Sequence, residues 1–293
     1  MNGVNLQALA QDSLTTLLSE FPLVNTFTTN FGGDIATRGE SVTTRLAARI
    51  NSITDIGANG YQTTAVSSTK KEVTLNKFKG FVMGFDDGEI AKGGYDLLRR
   101  TFMRPAAHAV VKAFMDDVFA LVTVGNFPAA GYNGTAAAFD SDSVAQLSQD
   151  LTDLYNPAGD RTLIVKPALY TNLAKDVSIK AQYASGTNAP LTENLLPRIY
   201  GFTVRQYADF PATYTNLKGI AVRPESIIIA TRLPALPTNW YGNVATATDE
   251  QSGLSIQVRE WYDGDSGQQK ISMALLYGVA VGNPDSLLPI VAS

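Results

Sequence analysis

Apolar residues recur at helical spacing at the start of the chain. Leu6, Leu9, Leu14, Leu17 and Leu18 predict an amphipathic helix over residues 5–20, with Asp12 and Glu20 on its polar side and Phe21-Pro22 as its stop. The next stretch, Val24 to Ile35, is rich in Thr, Asn and Gly and carries isolated Phe27 and Phe31, so it reads as an extended arm or an ordinary loop. From Ser41 to Ile50 the period changes to two, as Val42, Thr44, Leu46, Ala48 and Ile50 alternate with Arg45 and Arg49. A second run of strand character covers Glu72 to Phe85, and the long polar stretch between the two makes residues 35–85 a projecting hairpin. Such a projection buries little of itself and must lie against another surface, best supplied by another subunit.

Helical pattern returns over residues 88–103, broken by Gly93-Gly94, and Pro105 is placed to open a new helix. Ala106, Ala109, Val110, Ala113, Phe114, Val118, Leu121 and Val122 continue that helix, and Gly125-Asn126 stops it. Beyond a Gly/Ala loop at Gly131 to Phe139, a helix is expected over Asp140 to Leu154 and a strand over Arg161 to Val165. A helix opened by Pro167 and reaching about Ile179 follows. Strands then dominate: Phe202 to Tyr207, Leu217 to Val222, Ser226 to Ala230, and a hairpin of Ile256 to Tyr262 with Ile271 to Val281 around Asp263-Gly264-Asp265-Ser266-Gly267. The class is α+β with mixed or mainly antiparallel sheets.

Composition narrows the function. The 293 residues carry 23 Lys+Arg against 27 Asp+Glu, a net charge of −4 that excludes a strongly basic nucleic-acid binder. Zero Cys removes disulfides and thiolate chemistry, and the single His, His108, excludes a His-rich metal site within one chain. Met1 to Ala10 lack the pattern of a secretory signal, and the longest apolar stretches fall short of the roughly 20 residues of a membrane span, so a soluble intracellular product is expected. Asn133-Gly134-Thr135 reads as a turn. Basic residues gather nevertheless: Arg38, Arg45, Arg49, Lys70, Lys71, Lys77 and Lys79 in the hairpin, and Arg99, Arg100, Arg104 and Lys112 around the long helix. They can form intersubunit ion pairs or face packaged phosphate.

Enzymatic motifs fail on geometry. Gly264-Asp265-Ser266-Gly267 with Ala106-Ala107-His108 mimics the signatures of trypsin-like proteases, but His108 falls on a helix and Gln268 stands where that motif has Gly. Asp263, Asp265 and Gly267 begin like a calcium loop that Gln268 and Ala274 do not complete. Adjacent Asp86-Asp87 and Asp116-Asp117 point in different directions and make no shared acid/base pair by themselves. No glycine loop followed by Lys-Ser or Lys-Thr is present to cradle phosphate. No catalytic, cofactor-binding or metal-binding residue, and no cofactor, is expected.

The order of elements resembles the major capsid proteins of tailed bacteriophages, which share the Hong Kong 97 fold. The resemblance is carried by the amphipathic start and Phe-rich arm, the hairpin from Gly39-Glu40-Ser41-Val42 to Lys77-Phe78-Lys79-Gly80-Phe81, and the Pro105 helix through Met115-Asp116-Asp117. Leu163-Ile164-Val165-Lys166-Pro167-Ala168-Leu169-Tyr170, Gly201-Phe202-Thr203-Val204 and the closing hairpin Gly253-Leu254-Ser255-Ile256 to Tyr277-Gly278-Val279-Ala280 complete it. It implies an N-terminal helix and arm at 1–34, an extension loop at 35–85, a peripheral domain with a long spine helix at 86–132, an axial domain at 133–231, and a return to the peripheral domain at 232–293. Function then follows as an icosahedral shell of pentamers and hexamers around double-stranded DNA, assembled in the bacterial host cytoplasm with portal and scaffolding proteins and without a membrane. Phe27, Phe31, Phe78 and Phe81, with Phe85, are the expected intersubunit anchors. Arg45, Arg49, Lys70, Lys71, Lys77, Lys79, Arg99 and Arg100 are the expected ion-pairing or DNA-facing residues. Two alternatives stand beside this reading: an encapsulin-type nanocompartment shell, and a small-molecule-binding α+β enzyme.

Overall fold

The computed structural model describes residues 6–20, 22–36, 38–47, 58, 68–128, 131–179, 196, 198–211, 214–238, 240–248 and 254–293. Helix α1, Leu6–Glu20, buries Leu9, Ala10 and Leu14, as its leucine spacing requires. The following arm is not free. A 3₁₀ turn, Pro22–Thr26, buries Leu23 and Val24, and strand β1, Thr28–Ala36, pairs in parallel with Ile227–Pro234 in the register Thr28↔Ile228. Backbone hydrogen bonding thus satisfies a segment whose Thr/Asn/Gly composition reads as loop.

Strands β2, Ser41–Ala47, and β3, Ser68–Thr74, form a two-stranded hairpin with Val42 opposite Val73. The strand expected over Glu72 to Phe85 is in fact two: the chain breaks at Leu75-Asn76 and continues as β4, Lys77–Asp86, in a different sheet. The C-terminal part of residues 35–85 is thus a strand of the larger sheet. Helix α2, Asp87–Gly93, is opened by a capping box in which Glu89 N donates to Asp86 Oδ1 at 2.7 Å. Gly94, at φ 75°, turns the chain into α3, Tyr95–Phe119. This 25-residue helix runs straight through Pro105 instead of starting there. Pro105, which brings no N–H to the helix ladder, lies on the exposed side of α3.

The larger sheet runs β1-β9-β12-β11-β10 with β4 added on β12, where β9 is Ile227–Pro234, β10 Asn243–Thr248, β11 Ser255–Asp263 and β12 Gln268–Val281. Its inner face and α3 share one core that includes Val111, Phe114, Met115, Ile256, Val258 and Ile271. The second sheet runs β5-β13-β8-β6-β7, with β5 Tyr132–Gly134, β6 Arg161–Val165, β7 Phe202–Gln206, β8 Leu217–Val222 and β13 Leu287–Ala292. Helices α4, Ser141–Asp153, and α5, Pro167–Lys175, cover one face of it over Leu147, Leu163, Val165 and Leu169. Ile164, Ile220 and Val222 point the other way, into the core shared with α3. A strand buried on both faces reads as a continuous apolar run, which is why β6 and β8 are visible in the sequence. Neither sheet follows the linear division at residue 231: β9 continues to Pro234 in the larger sheet, while the last strand, β13, joins the smaller.

Arg161 is fully buried at the start of β6, with no carboxylate among its hydrogen-bond partners. All five of its donor hydrogens are used: Nε to the Pro157 carbonyl at 3.2 Å, Nη1 to Ser148 O and Oγ at 2.8 Å each, and Nη2 to Thr152 Oγ1 at 2.9 Å and Asn156 O at 2.5 Å. Burial, with Arg223 nearby, pulls its pKa down. The guanidinium pins the C-terminal end of α4 to the sheet through acceptors that only its fork can serve together. Arg161→Ala is expected to cost about 3 kcal/mol in urea denaturation of the chain, with Arg161→Lys recovering only part; a loss below about 1 kcal/mol would contradict this role.

Candidate assembly surface

Two features on the outer side of the larger sheet face outward: the β2–β3 hairpin, which packs on it, and its strand β4. Among the described residues, the hairpin docks through its base. Val73 and Leu75 are buried against Ile228, Ala230 and Leu276, while Ser68, Thr69, Lys70 and Glu72 are exposed. Leu75 N donates to Glu40 O and Gly39 N to Leu75 O, both at 2.8 Å, closing the base. Docking requires glycine at position 278 on β12, where a Cβ would stand 2.2 Å from Thr74 O.

β4 alternates strictly. Lys77, Lys79, Phe81, Met83 and Phe85 turn toward α3, and Phe78, Gly80, Val82 and Gly84 turn outward. Its inner row is locked by Asp117 of α3. Lys79 Nζ lies 2.7 Å and Lys77 Nζ 3.6 Å from that carboxylate, which also accepts the Tyr277 hydroxyl at 2.5 Å. Lys79 Nζ further approaches the Ala113 carbonyl at 3.4 Å. Burial pushes the Asp117 carboxyl up, but the hydrogen bonds from Lys79 and Tyr277 and the two lysine charges outweigh it and hold the group below the ordinary carboxylate range. Burial and then the Asp117 bond raise the Tyr277 phenol, so it stays a neutral donor.

The expected anchors separate accordingly. Phe27 is not an outward anchor: it is buried in the chain's own core, edge-on to Phe119 at a centroid distance of 6.3 Å. Phe85 is buried beside Phe102, and Phe81 is half-buried on the main core. Phe78 stays 47% exposed. The Phe31 backbone pairs with Thr231, and its side chain lies outside the described residues. Among the cations, Lys77 and Lys79 are engaged within the chain on Asp117, Lys70 is exposed and Lys71 half-buried. Arg45 stands opposite Lys70 in register, and Arg99 and Arg100 sit on α3; the side chains of these three arginines, and Arg49 altogether, lie outside the described residues. Asp117, set aside in the sequence as half of an adjacent pair with no acid/base role, is the residue that sequence reasoning missed. Its signal was Lys77 and Lys79 two apart on a strand.

The protease-like elements do not form a site. Asp263 accepts hydrogen bonds from Asp265 N at 3.1 Å and Ser266 Oγ at 2.8 Å and from Lys270, and these hold it at about 2, the Lys270 bond contributing most. Ser266 is thus a turn donor, and His108 lies exposed in the middle of α3. Among the described residues, no cluster of three or more His, Cys, Asp or Glu is placed to hold a metal ion, and no helix is long and apolar enough to cross a membrane.

A family model described as phage capsid protein matches residues 68–290, from β3 into β13. The chain belongs to the phage capsid protein family. The capsid protein is a structural protein of a virion shell, and its fold is shared by solved capsids at low identity. The capsid of cyanophage P-SCSP1u aligns with a TM-score of 0.63 at 11% identity, covering 92% of this chain and 86% of that one. Mycobacterium phage Che8 aligns with a TM-score of 0.54 at 17% identity over 86% and 84% of the two chains. A virus-like particle from Pyrococcus furiosus aligns with a TM-score of 0.52 at 13% identity over 97% of each. No curated protein sequence matches the capsid protein.

Asp117→Asn removes the charge that serves both lysines and is expected to destabilise the unassembled subunit by about 1–3 kcal/mol at neutral pH. Because the folded carboxyl titrates below its unfolded value of about 3.9, its contribution is complete above that pH and is lost as pH falls through the folded value. The gap between parent and variant should therefore narrow on acidification toward pH 3 in urea titrations; a gap independent of pH would contradict the latch.

Proposed function

We propose that the capsid protein assembles through pentamers and hexamers into an icosahedral shell around a double-stranded DNA genome, within the cytoplasm of its bacterial host, with scaffolding and portal proteins as assembly partners. In this reading residues 35–85 form the extension loop, α3 the spine, and the sheet carrying α4 and α5 the axial domain. The observation that carries it is the β2–β3 hairpin, whose base is covered by its own body while Ser68, Thr69, Lys70 and Glu72 of β3 stay exposed, in a protein of a shell-forming family. Segments of this kind gain their burial from neighbours, and obligate interfaces often bury about 2,000 Å² or more. Closure around several neighbours then turns modest pair affinities into a stable container. Phe78 is the outward aromatic anchor. Lys70 and Lys71, with Arg45, Arg49, Arg99 and Arg100, balance neighbouring carboxylates or packaged phosphate. The work is physical, with no catalytic step.

The full chain, expressed and imaged by negative stain, should give closed particles of uniform diameter, and those purified from infected host cells should hold nuclease-protected DNA. A monomer at high concentration would overturn the reading, and particles filled with a protein cargo and no genome would replace it with a nanocompartment. Deleting residues 51–66, between the hairpin strands, should leave soluble subunits with the parental melting temperature that form no closed shells; normal shells would remove the hairpin from assembly.

A further inference from the structure

Strand β4 is hydrogen-bonded on one edge only. Its ten residues pair with β12 from Lys77↔Tyr277 to Asp86↔Gln268, and among the described residues no strand pairs with its other edge. Long edges of this kind are normally blunted by proline, outward charge or a covering element, because their free N–H and C=O groups template another strand. The lysines of β4 turn inward onto Asp117, and its outward row is Phe78, Gly80, Val82 and Gly84, with Phe78 47% and Val82 62% exposed.

The outward row is self-complementary. Antiparallel pairing of two copies about a two-fold axis normal to the sheet keeps outer face with outer face, so even positions must meet even positions. The register centred on Phe81 then places Phe78 opposite the second copy's Gly84 and Val82 opposite its Gly80. Each exposed side chain falls on a residue without one, the arrangement by which aromatic groups cover edge glycines. Charge favours the same direction. One carboxylate, Asp117, serves both Lys77 and Lys79, leaving the start of β4 net positive, while its end runs into exposed Asp86, Asp87 and Glu89. Antiparallel pairing brings the basic start of one copy beside the acidic end of the other.

We propose that the free edge of β4 is a two-fold contact between copies of this chain, joined by antiparallel β4–β4 pairing centred on Phe81. This rests on the assembly reading above and adds to it the partner strand and register. The contact is isologous, so every substitution in it counts twice.

The absence of cysteine allows a direct test. Directly opposed antiparallel residues have Cα atoms about 4.5–5.5 Å apart, within the roughly 4.4–6.8 Å that a disulfide spans. Positions 78 and 84 of one chain lie about 20 Å apart along the strand and cannot bridge each other. A Cβ at 84 would meet two flexible side chains, the movable end of Gln268 at 2.5 Å and Lys270 Cγ at 3.6 Å. Oxidised particles of the Phe78→Cys/Gly84→Cys double variant should run as covalent dimers, whereas either single variant should not. Val82→Glu, at an exposed position, should keep the parental melting temperature while particle yield falls at least about tenfold, since two like charges enter one small contact. Closed shells without the cross-link, or parental yield from Val82→Glu, would overturn the contact and leave the assembly reading standing. A parent chain that forms neither particles nor dimers would overturn both.

Discussion

Strand β12 is the constraint on which the architecture turns. Over its 14 residues it holds β11 and then β9 along one edge and β4 along the other, and its outer face receives the hairpin base at Leu276 and Gly278. Beneath it, Tyr277 packs edge-on to Phe114 of α3 at 4.8 Å and donates to Asp117. One strand thus fixes the sheet, the helix below and the projection above. Because every neighbour is set by backbone register, a one-residue slip would exchange the core face of β12 with its solvent face and undo all three.

This arrangement separates what the chain covers by itself from what it leaves outside. The central strands of the second sheet, β6 and β8, are buried on both faces, and Arg161 fastens the sheet to α4 through hydrogen bonds to neutral acceptors. The inner row of β4 is closed by Asp117. Among the described residues of the stretch from Ser41 to Asp86, the exposed positions of β3 and the outer row of β4 face outward. A capsid subunit has to be stable before its neighbours arrive and still offer surfaces that only they can fill.

Much of the fold was legible because burial leaves a periodic mark. The buried runs of β6 and β8 and the apolar stripe of α3 lie where composition places them. Strand β1 was illegible, since Asn and Gly interrupt the strand preference of its Thr residues and its pairing with β9 is set about two hundred positions away. Pro105 misled for a physical reason: proline at an exposed helix position costs one hydrogen bond, and the apolar face on the opposite side of α3 outweighs it. The site was legible as a projecting segment and not in detail. Phe27 and Phe31 look alike in sequence, yet Phe27 belongs to the core around Phe119, and only three-dimensional register reveals that Lys77 and Lys79 share one carboxylate.

The central claim is that strands β3 and β4 stay partly uncovered until sister copies arrive, while β6 and β8 are already covered within one subunit. Hydrogen–deuterium exchange on unassembled subunits and on closed particles of the same chain compares the two directly. Amides of β3 and β4 should slow markedly on assembly while those of β6 and β8 stay unchanged; equal exchange of β3 and β4 in both states would contradict the account.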